Sequence, residues 1–419
     1  MTAGQKDTTM GNGIVGSNII WNTIGNIFYL GCQWLLSVVV VRVSGSYADA
    51  GILTLAISIS NIFATLAAFG VRNYQVSDTG EKYSQSDYIF HRVITCAAAI
   101  LLCAVFTALS GYAFNAALSI VAYMLMRMVE AFADVFHGIF QKHWRFDIVG
   151  RSCIYRGAVL LVCFTAAYKY SGNLSVAMTI MAAMTAIVFY LYDFKKICKF
   201  TSISGQFDKN SLLNLSKDCL PVLGYNIFLN SIVLTARFFI ERYHGAEMLG
   251  YYGSVSTIAV IVQTTANLVM LPLNEVICSY YIQKESREIL VLSRKVILLL
   301  AAITGVSLVG ALVLGNVALV LLFGESISPY TYLLIPTIFA SCLTGLVLFL
   351  GMLLTIVRQM KMLITGAAVG FTISAVLSFL WVPQYAFDGA NAAVITALTA
   401  IGIFYAVTAR KAICRTDIF

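Results

Sequence analysis

The sequence predicts an all-α polytopic membrane protein of about 12 transmembrane helices, arranged as two six-helix lobes around a central cavity. Three observations predict it. Of 419 residues, 60% are apolar and 11% charged, with a mean hydropathy of +0.86, whereas soluble domains carry about 45–50% apolar and about 25% charged residues. The apolar residues fall in runs near or above the ~20 needed to cross a hydrocarbon core, far longer than the roughly 10-residue alternating strands of an outer-membrane barrel. Basic residues gather in every second gap between the runs. Such a chain is not a large soluble enzyme, a disordered polymer or a nucleic-acid binder built on a basic face.

The polar N-terminus, Met1 to Gly16, has no apolar core beside a cleavage site, so the first apolar run reads as a retained span rather than a signal peptide. Spans are expected at 17–41, 50–70, 90–110, 113–138, 150–169, 173–193, 218–240, 247–271, 292–321, 329–357, 361–382 and 388–409, the ninth with a bend or broken end near Gly315. Basic residues justify the order. Lys6 precedes the first span, and Arg72, Lys82 and Arg92 mark the gap after the second. Lys142, Arg145, Arg151 and Arg156 follow the fourth; Lys195, Lys196, Lys199, Lys209 and Lys217 follow the sixth. Lys284, Arg287, Arg294 and Lys295 follow the eighth, Arg358 and Lys361 the tenth, and Arg410, Lys411 and Arg415 the last. One side thus holds 22 of the 27 Lys and Arg; the other holds only Arg42, Lys169 and Arg242. That is the positive-inside pattern, with an even number of spans and both termini cytoplasmic. The net charge of +8 then needs no nucleic acid; anionic headgroups of the bilayer are its ordinary partner.

The longest stretch between spans, Phe194 to Lys217, cannot hold a catalytic domain. The expected organisation is an N-terminal lobe over 1–193, a basic cytoplasmic linker over 194–217, and a C-terminal lobe with a short tail over 218–419. Spans 1 and 7 match at a constant offset: Asn26-Ile27-Phe28 with Asn226-Ile227-Phe228, Arg42 with Arg242, and Gly45 with Gly245. Both spans run outward, so the halves read as parallel repeats, which in transporters place the substrate between them near the midplane. The ten cysteines form no CxxC pair and sit mostly in apolar runs, so neither a disulfide framework nor a metal site is expected; no cofactor is implied.

Polar residues form stripes inside the spans. At 100° per residue, Asn18, Asn22, Asn26 and Gln33 share an arc of about 80° on span 1, and Thr54, Ser58, Asn61 and Thr65 one of about 60° on span 2. Asn226, Asn230 and Arg237 on span 7, and Ser256, Gln263 and Asn267 on span 8, each fall within about 40°. One such residue is accounted for by helix–helix hydrogen bonding, worth about 0.6–2 kcal/mol. Four stripes on corresponding helices are better explained by a hydrated cavity, which makes Asn18, Asn22, Asn26, Gln33, Asn61, Asn226, Asn230, Arg237, Gln263 and Asn267 candidate substrate ligands.

Span 4 carries Arg127, Glu130, Asp134 and His137 on one face. Charges there cost about 2.5–3.5 kcal/mol on insertion scales and must face a cavity or one another. Arg127 with Glu130 and Asp134 is read first as a structural ion pair, because the acids have a partner three or seven residues away; a proton or Na⁺ coupling carboxylate is the sharper alternative. Asp134 and His137 lie near the cytoplasmic end, within reach of water. Arg237 has no acid on its span before Glu241, which suits a diphosphate, since guanidinium offers forked donors. Arg42 and Arg242, at the outer mouths, read equally as headgroup-snorkelling residues.

Two stretches, Phe69-Gly-Val-Arg-Asn-Tyr-Gln-Val-Ser-Asp78 and Asp134-Val-Phe-His-Gly-Ile-Phe-Gln-Lys-His-Trp-Arg-Phe-Asp-Ile-Val-Gly-Arg-Ser152, resemble the polysaccharide transporter family, the O-antigen and capsule repeat-unit flippases of the multidrug/oligosaccharidyl-lipid/polysaccharide (MOP) exporter superfamily. The resemblance is strongest over residues 17–160. It implies a cavity lined by spans 1, 2, 7 and 8, a bacterial inner-membrane location, and a role in capsule or lipopolysaccharide biosynthesis. The cargo it implies is an undecaprenyl-diphosphate-linked oligosaccharide carried to the outer leaflet by alternating access, with a polysaccharide polymerase or glycosyltransferases as further candidate partners. Multidrug members of the superfamily often use an acid on span 1, and 17–41 has no Asp or Glu. The main alternative is a cation-coupled small-solute or drug exporter with the same lobes. A membrane-embedded enzyme is disfavoured, because Glu325 and Asp388 stand isolated on short external loops.

Overall fold

The computed structural model describes residues 12–77, 82–200 and 208–416, and among these every regular element is helical. In chain order they are α1 (Asn12–Ser44), α2 (Tyr47–Ala68), the short α3 (Val71–Ser77), α4 (Gln85–Leu109), α5 (Phe114–Lys142), α6 (Phe146–Ser171) and α7 (Leu174–Val188). A π-helical turn, Phe189–Phe194, joins α7 to α8 (Lys195–Phe200). Then come α9 (Lys209–Ile282), α10 (Ser286–Phe323), a 3₁₀ stretch (Glu325–Leu333), α11 (Leu334–Ile356) and α12 (Met360–Thr416). Among the described residues, ten helical stretches are long and apolar enough to cross a membrane. Two of them are double: α9 breaks at Gly245 (φ 87°, ψ 169°) and α12 at Ala386 (φ 45°, ψ −115°). Counting each arm separately gives the twelve spans expected.

Both breaks have local causes. Gly245 and Gly45 (φ 66°) both stand at positive φ, which a side chain disfavours and glycine adopts at little cost. In α12, Pro383 lacks the N–H that would continue the helix three residues before Ala386. The break expected at Gly315 is absent. The 38-residue α10 runs through it to Phe323; a Cβ at Gly315 would meet the Leu334 side chain of α11, so this glycine serves packing. The gap expected between the second and third spans holds α3.

The chain packs into two compact units, one of residues up to Leu36 with Phe63–Cys219, the other of Ser37–Ile62 with Leu220–Phe419. In the first, Val71, Tyr88, Phe136, Phe140, Ile197 and Leu215 belong to one buried cluster. It joins α3, α4, α5, α8 and the start of α9 at the end where basic residues concentrate. Asp218 ties the segment before α4 to α9, accepting from Lys82 Nζ (2.8 Å), Tyr74 Oη (3.0 Å) and Tyr83 Oη (3.0 Å). These bonds, to Asp218 first and to Tyr83, hold the exposed Lys82 ammonium above its ordinary pKa.

In the second unit, Val320 O near the end of α10 accepts from Gly324 N–H at 2.8 Å, and the three carbonyls after it would be orphaned in lipid. Arg42 donates to Leu322 O (2.9 Å), Val320 O (3.2 Å) and Leu321 O, and Tyr47 Oη to Phe323 O at 3.0 Å. Arg42 thus caps the C-terminus of α10, where the helix dipole also favours a cation.

Candidate functional site

The second unit encloses a polar cavity of about 350 Å³. Three elements supply its polar wall. Ser58 and Asn61 come from α2; Asn226, Asn230 and Arg237 from the first arm of α9; Tyr252, Ser256 and Gln263 from its second arm. The fourth-residue and seventh-residue spacings turn each set to one helix face, so the stripes on these three segments converge. A further wall escaped the sequence reading. Thr337, Ser341 and Thr344 of α11 also line the cavity, and their own four- and three-residue spacing was the available signal.

Arg237 is the cation of this site. Its Nη1 donates to Ser58 Oγ at 2.9 Å, Ser58 in turn donates to Thr54 O at 2.7 Å, and the buried Arg237 Nε has no partner. No carboxylate is among the lining residues, and among the described residues none ion-pairs with Arg237. Behind the wall, Tyr252 Oη donates to the buried Asn391 Oδ1 at 2.9 Å. The chemistry on offer is one guanidinium beside amides and hydroxyls, with Leu229, Val233, Leu234, Val260 and Leu348 among the apolar remainder of the lining: an arrangement for an anionic, hydroxyl-rich ligand, with no nucleophile–base pair.

The span-1 stripe lies in the first unit and is engaged in hydrogen bonds both within α1 and to other elements of the unit. Asn18 Nδ2 donates to Trp144 O at 3.1 Å; Asn26 Nδ2 donates to Asn22 O (2.8 Å) and Asn22 Oδ1 (3.0 Å). Gln33 Nε2 donates to Glu130 Oε1 at 2.7 Å, where Tyr29 Oη also donates. Arg127 binds the other carboxylate oxygen of Glu130, and the Arg156 guanidinium stands 5.3 Å from the Tyr29 ring. The side chain of Asn267 lies outside the described residues, as do residues 1–11 and 201–207 and the motif residue Asp78.

Two expectations for span 4 are corrected. Asp134 pairs with Arg72 of α3 (2.7 Å) and the almost fully buried Arg92 of α4 (3.5 Å), not with Arg127, which sits two helical turns away and is taken by Glu130. His137 is 4% exposed rather than close to water. Its Nε2 lies 3.2 Å from Oδ1 of the fully buried Asp193, whose Oδ2 accepts from Ser152 Oγ at 2.8 Å. The π-helical turn that carries Asp193 turns it inward. Among the described residues no three or more His, Cys, Asp or Glu gather as metal ligands, and the ten cysteines are unpaired.

No model of a known protein family matches the chain. CapF of Staphylococcus aureus, a capsular polysaccharide biosynthesis protein, is 25% identical over 382 residues, covering 89% of this chain and 93% of its own. Among solved structures, the inward-facing conformation of a multidrug resistance MATE family transporter of the MOP superfamily superposes with a TM-score of 0.71 at 11% identity, over 95% of this chain and 98% of that one. The lipid II flippase MurJ, in an inward closed conformation, gives 0.71 at 13% identity over 95% and 90%. At these identities the likeness establishes architecture: the chain is a polytopic membrane protein with the fold shared by this MOP-superfamily transporter and by MurJ.

Proposed function

We propose that the protein carries an undecaprenyl-diphosphate-linked oligosaccharide repeat unit from the inner to the outer leaflet of a bacterial cytoplasmic membrane, for capsule or O-antigen synthesis, with both termini cytoplasmic. One observation carries the reading: a cavity with a single, carboxylate-free Arg237 among amides and hydroxyls. Its guanidinium suits phosphate oxygens, while Asn61, Asn226, Asn230 and Gln263 suit sugar hydroxyls. That MurJ is a lipid II flippase and CapF a capsular polysaccharide biosynthesis protein supports the same class of cargo. Headgroup and cavity meet by alternating access while the lipid chain stays in apolar surroundings. An inside-negative potential drives the diphosphate outward, one elementary charge being worth about 2.3 kcal/mol per 100 mV.

The test is a strain depleted of the protein. Accumulation of complete lipid-linked repeat units on the cytoplasmic face, restored by the wild-type gene and not by Arg237→Ala, is the expected result. Normal lipid-linked sugar and normal surface polysaccharide on depletion refute the reading. Dissipating the potential at fixed ΔpH and Na⁺ should slow flipping. A cation-coupled exporter is the second reading, resting on the buried Glu130. That carboxylate is already held by Arg127, Tyr29 and Gln33, which favours a structural role, so Glu130→Gln should weaken transport without abolishing it.

A further inference from the structure

The α11 helix has two unlike faces at the same depth. Thr337, Ser341 and Thr344 line the polar cavity. Phe339, Leu343 and Leu346, about half a turn away, line with Ile297, Leu300 and Ala301 of α10 a second hollow, of about 240 Å³. This groove carries no charge. Its Thr304 hydroxyl is spent on Leu300 O at 2.7 Å, so nothing in it calls for a polar ligand. It opens outward, because only 11% of the apolar window of α10 is buried, the lowest share of any span. A single helix, roughly 10–12 Å across, therefore separates a polar headgroup chamber from an apolar channel facing the bilayer.

We propose that the α10–α11 groove seats the polyprenyl chain of the transported lipid. The inference rests on the flippase reading above and adds the tail site to it. The occupant is argued from the shared wall: a ligand with an anionic polar head and a long apolar chain needs both surfaces, and a chain of many isoprene units reaches around one helix. The competing occupant is a phospholipid of the bilayer, which the experiment below separates from the polyprenyl chain.

The full-length protein in phosphatidylglycerol/phosphatidylethanolamine nanodiscs is photolabelled with a diazirine-tailed undecaprenyl diphosphate and the adducts are mapped by peptide mass. Adducts should concentrate at 297–304 and 339–346. An about tenfold excess of unlabelled undecaprenyl diphosphate should cut them about fivefold or more, while the same excess of phosphatidylglycerol should not. Adducts spread along the outward face of α10 at 306–321, or displaced equally by phosphatidylglycerol, overturn the proposal and leave a groove filled by bulk lipid. Ala301→Trp, filling the groove, should lose the competitor-sensitive adducts and fail to complement the depleted strain; Leu312→Trp, on the exposed face of α10, should retain both. If depletion accumulates lipid-linked oligosaccharide yet Ala301→Trp complements fully, the groove assignment fails and the flippase reading stands. If depletion accumulates nothing, the flippase reading itself fails.

Discussion

Replacing Asp134 by Asn should destabilise the first unit more than any exposed ion pair could. Arg92 is 1% exposed, and its only acid partner among the described residues is Asp134; its Nη1 also donates to Ala67 O at 2.5 Å. Breaking a buried pair from one side costs about 3–5 kcal/mol, because the surviving charge is left uncompensated. The 3.5 Å separation and the 29% exposure of Asp134 soften this, to roughly 2–4 kcal/mol on the same scale. For a packed unit of this size each kcal/mol moves the melting midpoint by about 2–4 °C, so a fall of about 4–16 °C is expected. Arg72 bonds the same carboxylate at 2.7 Å but is 37% exposed, and Arg72→Ala should cost about 1 kcal/mol or less. The assay is thermal unfolding of detergent-purified protein followed by size-exclusion fluorescence. The double variant Asp134→Asn/Arg92→Met removes the orphaned cation and should recover much of the loss. An Asp134→Asn midpoint indistinguishable from wild type, or a double variant no better than the single, would refute the reasoning.

Four further outcomes are expected. Arg42→Ala frees the Leu321 and Leu322 carbonyls of α10 and should cost about 1–2 kcal/mol, whereas Arg242→Ala, at an exposed position, should leave the melting midpoint unchanged; equal effects would remove the capping role. Gly250 and Gly51 bring α9 and α2 into backbone contact, a Cβ on Gly250 striking Tyr47 O and one on Gly51 striking Ala246 O, so Gly250→Leu should yield little monodisperse protein while Gly305→Leu, with open space beside it, should express normally. Asp193→Ala strands His137 and Ser152 in a fully buried site and should lower the melting midpoint sharply, with Ser152→Ala milder because it removes one neutral donor. Asp208, at the start of α9, accepts from Ser211 Oγ at 2.6 Å, chiefly for which reason its carboxyl lies below the ordinary Asp value. Its contribution is complete above the unfolded Asp pKa and lost as pH falls through the lowered one. Proteolysis near 200–210 should therefore rise in strong acid and be pH-insensitive there in Asp208→Ala.

Much of the fold was legible because its causes are local. A span is a property of about 20 consecutive side chains, and the breaks near 245 and 386 follow from Gly245 and Pro383 within a few residues. The convergence of Asn226, Asn230 and Arg237 needed only the 100° step. Less legible were partners distant along the chain. Asp134 meets Arg72 across 62 positions, and Arg42 reaches α10 carbonyls 278–280 positions away. Gly315, which reads as a breaker in isolation, is read correctly only with Leu334 in place. The stripe on span 1 shows the limit from the other side. Its four polar residues share one helical face by the 100° step, yet Gln33 is bound to Glu130 and Asn26 to Asn22.

The sequence by itself determined that this chain crosses a membrane with about 12 helices, which stretch of chain each occupies to within several residues, and which side chains share a face, because lipid partitioning and helical pitch act residue by residue. Tertiary structure decided which faces meet. It made Arg237 the cation of a cavity walled by α11, made Arg42 a helix cap, and consigned Asp134 to an ion pair with Arg72 and Arg92. In hydrocarbon every polar group must find a partner inside the protein, and the packing of helices chooses which one.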